Sequence, residues 1–180
     1  MAKNLNVGTM IQGNLNQSDT ALIEKYCYDN DAENCLKYGG LYQWNQVMDY
    51  STAEGARGIC PPGWHVPGDE EWKSLELALG MPEALLNVIG FRGAGIGDAI
   101  KAGGSSGFEA LFGGARSSPG NFVYMEGSPT FEFGYFYTST ESRVPGYAFR
   151  RCIRKDSSAL GRYDTWPKSY GLSVRCVKDD

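Results

Sequence analysis

The chain has 180 residues, a length suited to one compact domain, with 42% apolar residues and a formal net charge of −4. No run is long and apolar enough to span a bilayer as a helix, so direct membrane insertion is not expected, and the acidic balance disfavours a nucleic-acid partner. The 24 glycines argue for many turns and against a helical bundle, and the 13% aromatic residues predict a loop-rich body held by large flat side chains.

The opening MAKNLNVGTM lacks a signal-peptide pattern, so the chain is expected to be either cytoplasmic or a domain cut from a longer protein without its targeting segment. LNVGTMI alternates weakly and predicts a strand followed by loop. CYDNDAENC (27–35) reads as an acidic loop. Asp29, Asp31 and Glu33, with Asn30 and Asn34 between them, offer oxygen ligands of the kind calcium takes, but a solvated loop closed by its cysteines is preferred. GLYQWNQVMDYS (40–51) predicts a first helix, because Trp44, Val47 and Met48 share a face at i, i+3 and i+4.

Pro61, Pro62 and Gly63 then break the chain. Asp69, Glu70 and Glu71 put negative charge where the dipole of a second helix favours it, with Trp72, Leu75 and Leu79 as its buried stripe and Gly80 as its end. Pro82 opens a further short helix, PEALLNVI. From Gly90 the chain is glycine-rich loop, followed by short apolar runs that predict strands: NFVYM, FEFGYFYTST, YAFRRCIR and GLSVRCV. Helices first and a small antiparallel sheet after them indicate an α+β domain over residues 1–180.

Five cysteines are an odd number. Cys27 with Cys35 and Cys60 with Cys176 form two candidate disulfides, leaving Cys152 over, and such bridges imply an oxidising compartment. Five reduced, buried thiols are the alternative. The spacing fits no zinc pattern and the chain has one histidine, so no metal or cofactor is expected. GAGIGDA lacks the G-x-G-x-x-G spacing of a dinucleotide loop. His65 has no candidate nucleophile beside it, and no residue is assigned a catalytic role.

The charge is uneven. Residues 141–170 hold seven basic side chains (Arg143, Arg150, Arg151, Arg154, Lys155, Arg162 and Lys168) against three acidic ones. A basic patch on an acidic body steers anionic partners; a solvated loop face is the simpler alternative.

YCYDNDAENCLKYGGLYQW, GICPPGWHVPGDEEW, FGGAR and SYGLSVRCVKD together resemble the Fibrobacter succinogenes major paralogous domain over nearly the whole chain. That family occurs in Bacteroidota and related bacteria, often on surface proteins. It is similar to the formylglycine-generating-enzyme branch of the C-type lectin fold, which implies two main helices packed on a small twisted antiparallel sheet with long loops.

The segment GYAFRRCIRKDSSALGRYDTWP (146–167) adds a second resemblance, to the variable proteins of diversity-generating retroelements. Ala148, Phe149, Arg151, Ile153, Ser158, Leu160, Arg162 and Lys168 match scaffold positions. The residues between them (Arg150, Cys152, Arg154, Asp156, Ala159, Gly161, Tyr163 and Asp164) match positions rewritten in such proteins. Strand alternation would place Arg150, Cys152, Arg154 and Asp156 on one solvent face and Phe149, Arg151 and Ile153 on the other.

The expectation is a non-enzymatic, extracellular, cell-surface or phage-borne domain that binds a protein or carbohydrate on a cell surface through region 143–167. Its surface would use Arg143, Tyr147, Arg150, Arg154, Asp156, Tyr163 and Asp164, with Trp166 at the rim. A generic adhesin-type lectin module and, further off, a formylglycine-generating type of oxidase using Cys152 and Cys176 are the alternatives.

Overall fold

A computed structural model describes residues 1–179. Its centre is a six-stranded sheet. The strands are β4 (Gly90–Arg92), β5 (Gly113–Arg116), β6 (Phe122–Met125), β7 (Phe133–Glu141), β8 (Ala148–Arg154) and β9 (Leu160–Tyr163), in the order β4-β9-β8-β7-β5-β6. All neighbours are antiparallel except β5 and β7. Four two-residue strands stand apart from it in two pairs: β1 (Thr9–Met10) with β2 (Glu24–Lys25), and β3 (Trp64–His65) with β10 (Val177–Lys178). The Cys60–Cys176 bridge lies beside the β3–β10 pair and ties the C-terminal segment to the chain before α3.

The helices are α1 (Ala32–Tyr38), α2 (Trp44–Val47), α3 (Asp69–Ala78) and α4 (Ile96–Ile100). This is the α+β class expected. The first helix of the sequence reading shrinks to the single turn α2, because Asp49 and Tyr50 take positive φ and end it. The acidic loop at 27–35 contains a helix start instead: Asp31 Oδ1 accepts from Glu33 N at 3.0 Å and opens α1. PEALLNVI gives only a 3-10 turn, Glu83–Leu85. GLSVRCV is not a regular strand; it crosses the core on isolated bridges such as Tyr42–Leu172 and Phe136–Ser173.

The third helix starts as its sequence predicts, with Glu71 Oε2 accepting from Gly68 N at 2.8 Å. Its buried stripe differs. Asp69, Trp72, Lys73 and Glu76 are buried, whereas Leu75 and Leu79 are half-buried. The cause lies on the facing sheet. Arg92, Arg151 and Arg162 project from β4, β8 and β9 toward α3 and require carboxylates. Arg151 Nε meets Glu76 Oε1 and its Nη1 meets Asp69 Oδ1, both at 2.6 Å. Arg162 Nη2 reaches Asp69 Oδ2 and Arg92 Nη2 reaches Glu76 Oε2, again at 2.6 Å. Phe136, Ile153, Leu160, Ile96 and Ile100 complete that layer with Trp72.

The other side of the sheet carries a second core, in which Tyr135, Tyr137 and Cys152 meet Tyr42, Trp44, Leu172 and the Cys60–Cys176 bridge. Both expected disulfides are present, Cys27–Cys35 and Cys60–Cys176, and Cys152 is free and buried. Among the described residues no helix is long and apolar enough to cross a membrane.

Candidate ligand-binding face

The alternation expected for β8 is real, and its consequence is different from the one expected. Register pairs Tyr137 with Arg150, Tyr135 with Cys152, Arg150 with Tyr163 and Cys152 with Gly161. These residues therefore share the face turned away from α3, while Arg151, Ile153, Leu160 and Arg162 face the helix layer. That face is not bare. Arg150 is 4% exposed, Cys152 1%, and Gly161 is buried. Expecting these three at the solvent surface was wrong, because the neighbouring aromatic rings lie over them.

Those rings form a connected belt. Phe133 lies 5.1 Å from Tyr135 and 5.6 Å from Tyr124, and Tyr135 lies 4.6 Å from Trp166. Trp166 stacks on Tyr170 at 4.5 Å. Phe91 bridges Phe133 and Tyr163 at 6.3 and 6.0 Å, and Phe131, half exposed, continues the belt outward at 6.2 Å. Two guanidinium groups are set into it. Arg150 lies 4.2 Å from the Trp166 ring centre and 5.1 Å from that of Tyr163; Arg154 lies 5.4 Å from Phe91 and 5.5 Å from Phe131. Cation–π contacts of this kind stabilise a guanidinium set against aromatic rings.

The remaining expected residues spread outward from this belt. Arg154 is half-buried and pairs with exposed Asp156. Arg143 is exposed in the turn between β7 and β8. Tyr147 is half-buried, and its backbone bridges to Pro167 across the base of the loop. Asp164 Oδ2 accepts from Ser142 Oγ at 2.9 Å, which ties down the segment carrying Trp166. Ala159 is half-buried beside α4, where its carbonyl would meet any side chain on Gly97. Thus Arg154, Tyr163 and Trp166 converge, while Arg143, Asp156 and Ala159 lie off the belt. Phe149 also departs from expectation: it is half-buried, with the Arg162 guanidinium 4.3 Å above its ring.

The basic patch read from the sequence is only partly a surface feature: Arg150, Arg151 and Arg162 are buried, whereas Arg143 and Lys155 stay exposed. Arg151 and Arg162 are buried in ion pairs, and Lys155 and Lys168 pair with Glu132 and Glu141. Meanwhile Phe91, Tyr124, Phe131, Phe133, Tyr135 and Tyr170 belong to the belt and were missed. The signal available for part of them was the period-2 spacing of Phe131, Phe133 and Tyr135 in FEFGYFYTST.

Burial tunes the polar groups here. It pushes the Cys152 thiol up to about 12, against the pull of nearby arginines, so the sulfur stays protonated and is no nucleophile at neutral pH. It also raises the Tyr163 hydroxyl and lowers the Arg150 guanidinium. A cleft of about 380 Å³ reaches the belt at Tyr124, and two larger ones lie away from it. One of about 550 Å³ is lined by Asn4, Leu36, Tyr38 and Arg175, and an apolar one of about 390 Å³ by Trp72, Leu75 and Phe108. A smaller one, about 130 Å³, touches the belt's rim at Phe131. Among the described residues no three His, Cys, Asp or Glu side chains converge as a metal site.

A family model described as the Fibrobacter succinogenes major domain matches residues 1–178. The chain belongs to that family. No curated protein and no solved structure matches it. The match to the Fibrobacter succinogenes major domain takes in the whole sheet, the aromatic belt and both disulfides. Membership is consistent with a non-enzymatic surface domain, and the two bridges are consistent with an extracellular setting.

Proposed function

We propose that this domain is a non-enzymatic binding module of the variable-protein kind, built on a C-type lectin-like scaffold of the formylglycine-generating-enzyme type. Its binding surface is the aromatic belt with Arg150 and Arg154. The observation that carries the reading is the division of labour along β8 and β9. Residues 151, 153, 160 and 162 lock the sheet to α3 and α4, while residues 150, 154 and 163 serve the belt. Substitutions on the belt side thus leave the ion-paired layer intact. Tyrosine, tryptophan and arginine are also the side chains that most often dominate binding surfaces.

An oxidase of the formylglycine-generating type is disfavoured, because Cys176 is bridged to Cys60 and Cys152 is buried with a raised pKa. Diversification in this reading is narrower than the alternating residues suggest. Cys152 and Gly161 are packed against each other and Asp164 is held by Ser142, leaving Arg154, Asp156 and Tyr163 as the more tolerant of the alternating positions.

The deciding experiment is sequencing of the gene's surroundings. A reverse-transcriptase gene and a near-copy of the segment encoding β8 and β9, with differences confined to codons of the belt side, are expected. Finding neither removes the variable-protein reading and leaves a surface module of fixed specificity.

A further inference from the structure

We infer that Arg150 is the recognition point for an aspartate or glutamate side chain that a protein partner presents to the belt; this rests on the belt being the binding surface. The neighbouring arginines 151, 154 and 162 all pair with carboxylates. Arg150 pairs with none among the described residues, and its Nε and Nη1 are buried without any hydrogen bond. The ionisable groups around it are the Cys152 thiol and the hydroxyls of Tyr135, Tyr137 and Tyr163, from β7, β8 and β9. None of these is an anion at neutral pH. What faces the guanidinium instead is two rings, Trp166 at 4.2 Å and Tyr163 at 5.1 Å.

Cation–π contacts offset only part of the cost of a buried, unpaired charge. The folded domain therefore holds a cation whose deficit an incoming anion relieves. Part of the desolvation is already met in the free protein, which lowers the cost of binding, while the movement of Trp166 adds to it. One unpaired unit charge matches one carboxylate better than a dianion. Trp166 sits on the bend between β9 and the C-terminal segment and is half-buried, so displacing its side chain opens the path to Arg150. None of the clefts named above is lined by Arg150. A belt whose clefts reach it only at Tyr124 and Phe131, away from Arg150, suits a protein surface, whereas small ligands take concave sites.

The test is an NMR titration of the domain with N-acetylglutamate amide at constant ionic strength. N-acetylglutamine amide is the neutral control and glucuronate the acidic-sugar arm. The Arg150 Nε–H and Trp166 indole N–H resonances are followed. Saturable millimolar shifts with the glutamate compound alone are expected. R150M should weaken them by at least about tenfold. R150K should retain part of the response. Because R150M removes a buried charge that has no partner, its melting temperature should stay level or rise. Equal binding of the glutamine compound, or no binding of the glutamate compound, overturns the inference. So does an R150M that unfolds or melts several degrees lower, since Arg150 is then a structural cation. Binding of glucuronate alone replaces the acidic protein with an acidic sugar. A missing reverse transcriptase would leave every one of these outcomes unchanged, so the two readings fail separately.

Discussion

The sulfur of Cys152 occupies the space that a side chain on Gly161 would need, so a Cβ there would collide with Cys152 Sγ. The two residues are direct cross-strand partners on β8 and β9. A side chain at position 161 therefore requires Cys152 to shrink or turn aside. Gly161→Ala should destabilise the domain, and Cys152→Ala in the same chain should recover part of the loss. A double-mutant cycle in denaturant should show a coupling of about 0.5–3 kcal/mol. Additive effects would mean that Cys152 turns aside freely.

The layer beneath makes a stronger claim. Asp69 receives Arg151, Arg162 and Lys73 at 2.6, 2.6 and 3.1 Å. Burial works against its ionisation, but the hydrogen bonds and charges of Arg162 and Arg151 outweigh burial and hold its carboxyl well below the usual range. A folded pKa below the unfolded value contributes stability above about pH 4, lost as pH falls toward the folded value. Asp69→Asn leaves two guanidinium groups short of a partner and should cost about 3–5 kcal/mol at neutral pH. The deficit relative to wild type should shrink in acid, which thermal melts across the acid range will show.

The fold was legible where periodicity or charge carried it and obscure where pairing did. Asp69, Glu70 and Glu71 announced α3, and FEFGYFYTST and YAFRRCIR announced β7 and β8. The cysteine spacing gave both bridges. What hid α1 was its acidic sequence, which reads as loop until Asp31 is seen to cap it. The belt was only half visible. Strand alternation correctly separated Arg150, Cys152 and Arg154 from Arg151 and Ile153. It could not tell that Trp166 folds back over Arg150, because that contact joins a strand to a bend sixteen positions on. Likewise, a run of arginines looks like a surface patch until Asp69 and Glu76 are found facing it.

His65 joins two otherwise separate parts. Its Nδ1 meets Asp179 Oδ1 and its Nε2 meets Glu71 Oε1, both at 2.7 Å, so it links the β3–β10 pair to the first turn of α3. Burial opposes its charge, yet the two carboxylate contacts outweigh burial and raise its pKa. A raised folded value contributes stability that is complete below the unfolded pKa of about 6.5 and is lost as pH rises through the folded one. The gap in melting temperature between wild type and His65→Asn should therefore narrow from weakly acidic to alkaline pH. A gap that widens would contradict the ion pairs.

The bridges predict a thiol count. Protein purified without reductant should show one free cysteine, and that one, Cys152, should react only after unfolding because it is buried. The Cys60–Cys176 bridge spans 116 residues, so its removal in C60A/C176A should cost about 4–5 kcal/mol by loop entropy alone. Five reactive thiols would remove both the bridges and the extracellular setting they support.

The last prediction separates the two sides of β8. Ile153 is fully buried against α4 and Leu160, so Ile153→Ala should cost about 2–5 kcal/mol through the cavity it leaves. Arg154 and Tyr163 stand on the opposite face, half-buried, against Phe91 and, for Arg154, Phe131. Arg154→Ser and Tyr163→Ser should each shift stability by about 1 kcal/mol or less, mostly through lost ring contacts. Both should nevertheless abolish or redirect capture of partners selected against the wild-type belt by display. Melting curves and binding to the same selected partner, measured on all three variants, decide it. If Arg154→Ser and Tyr163→Ser unfold the domain as Ile153→Ala does, the belt is a third core layer and its arginines are there to pack.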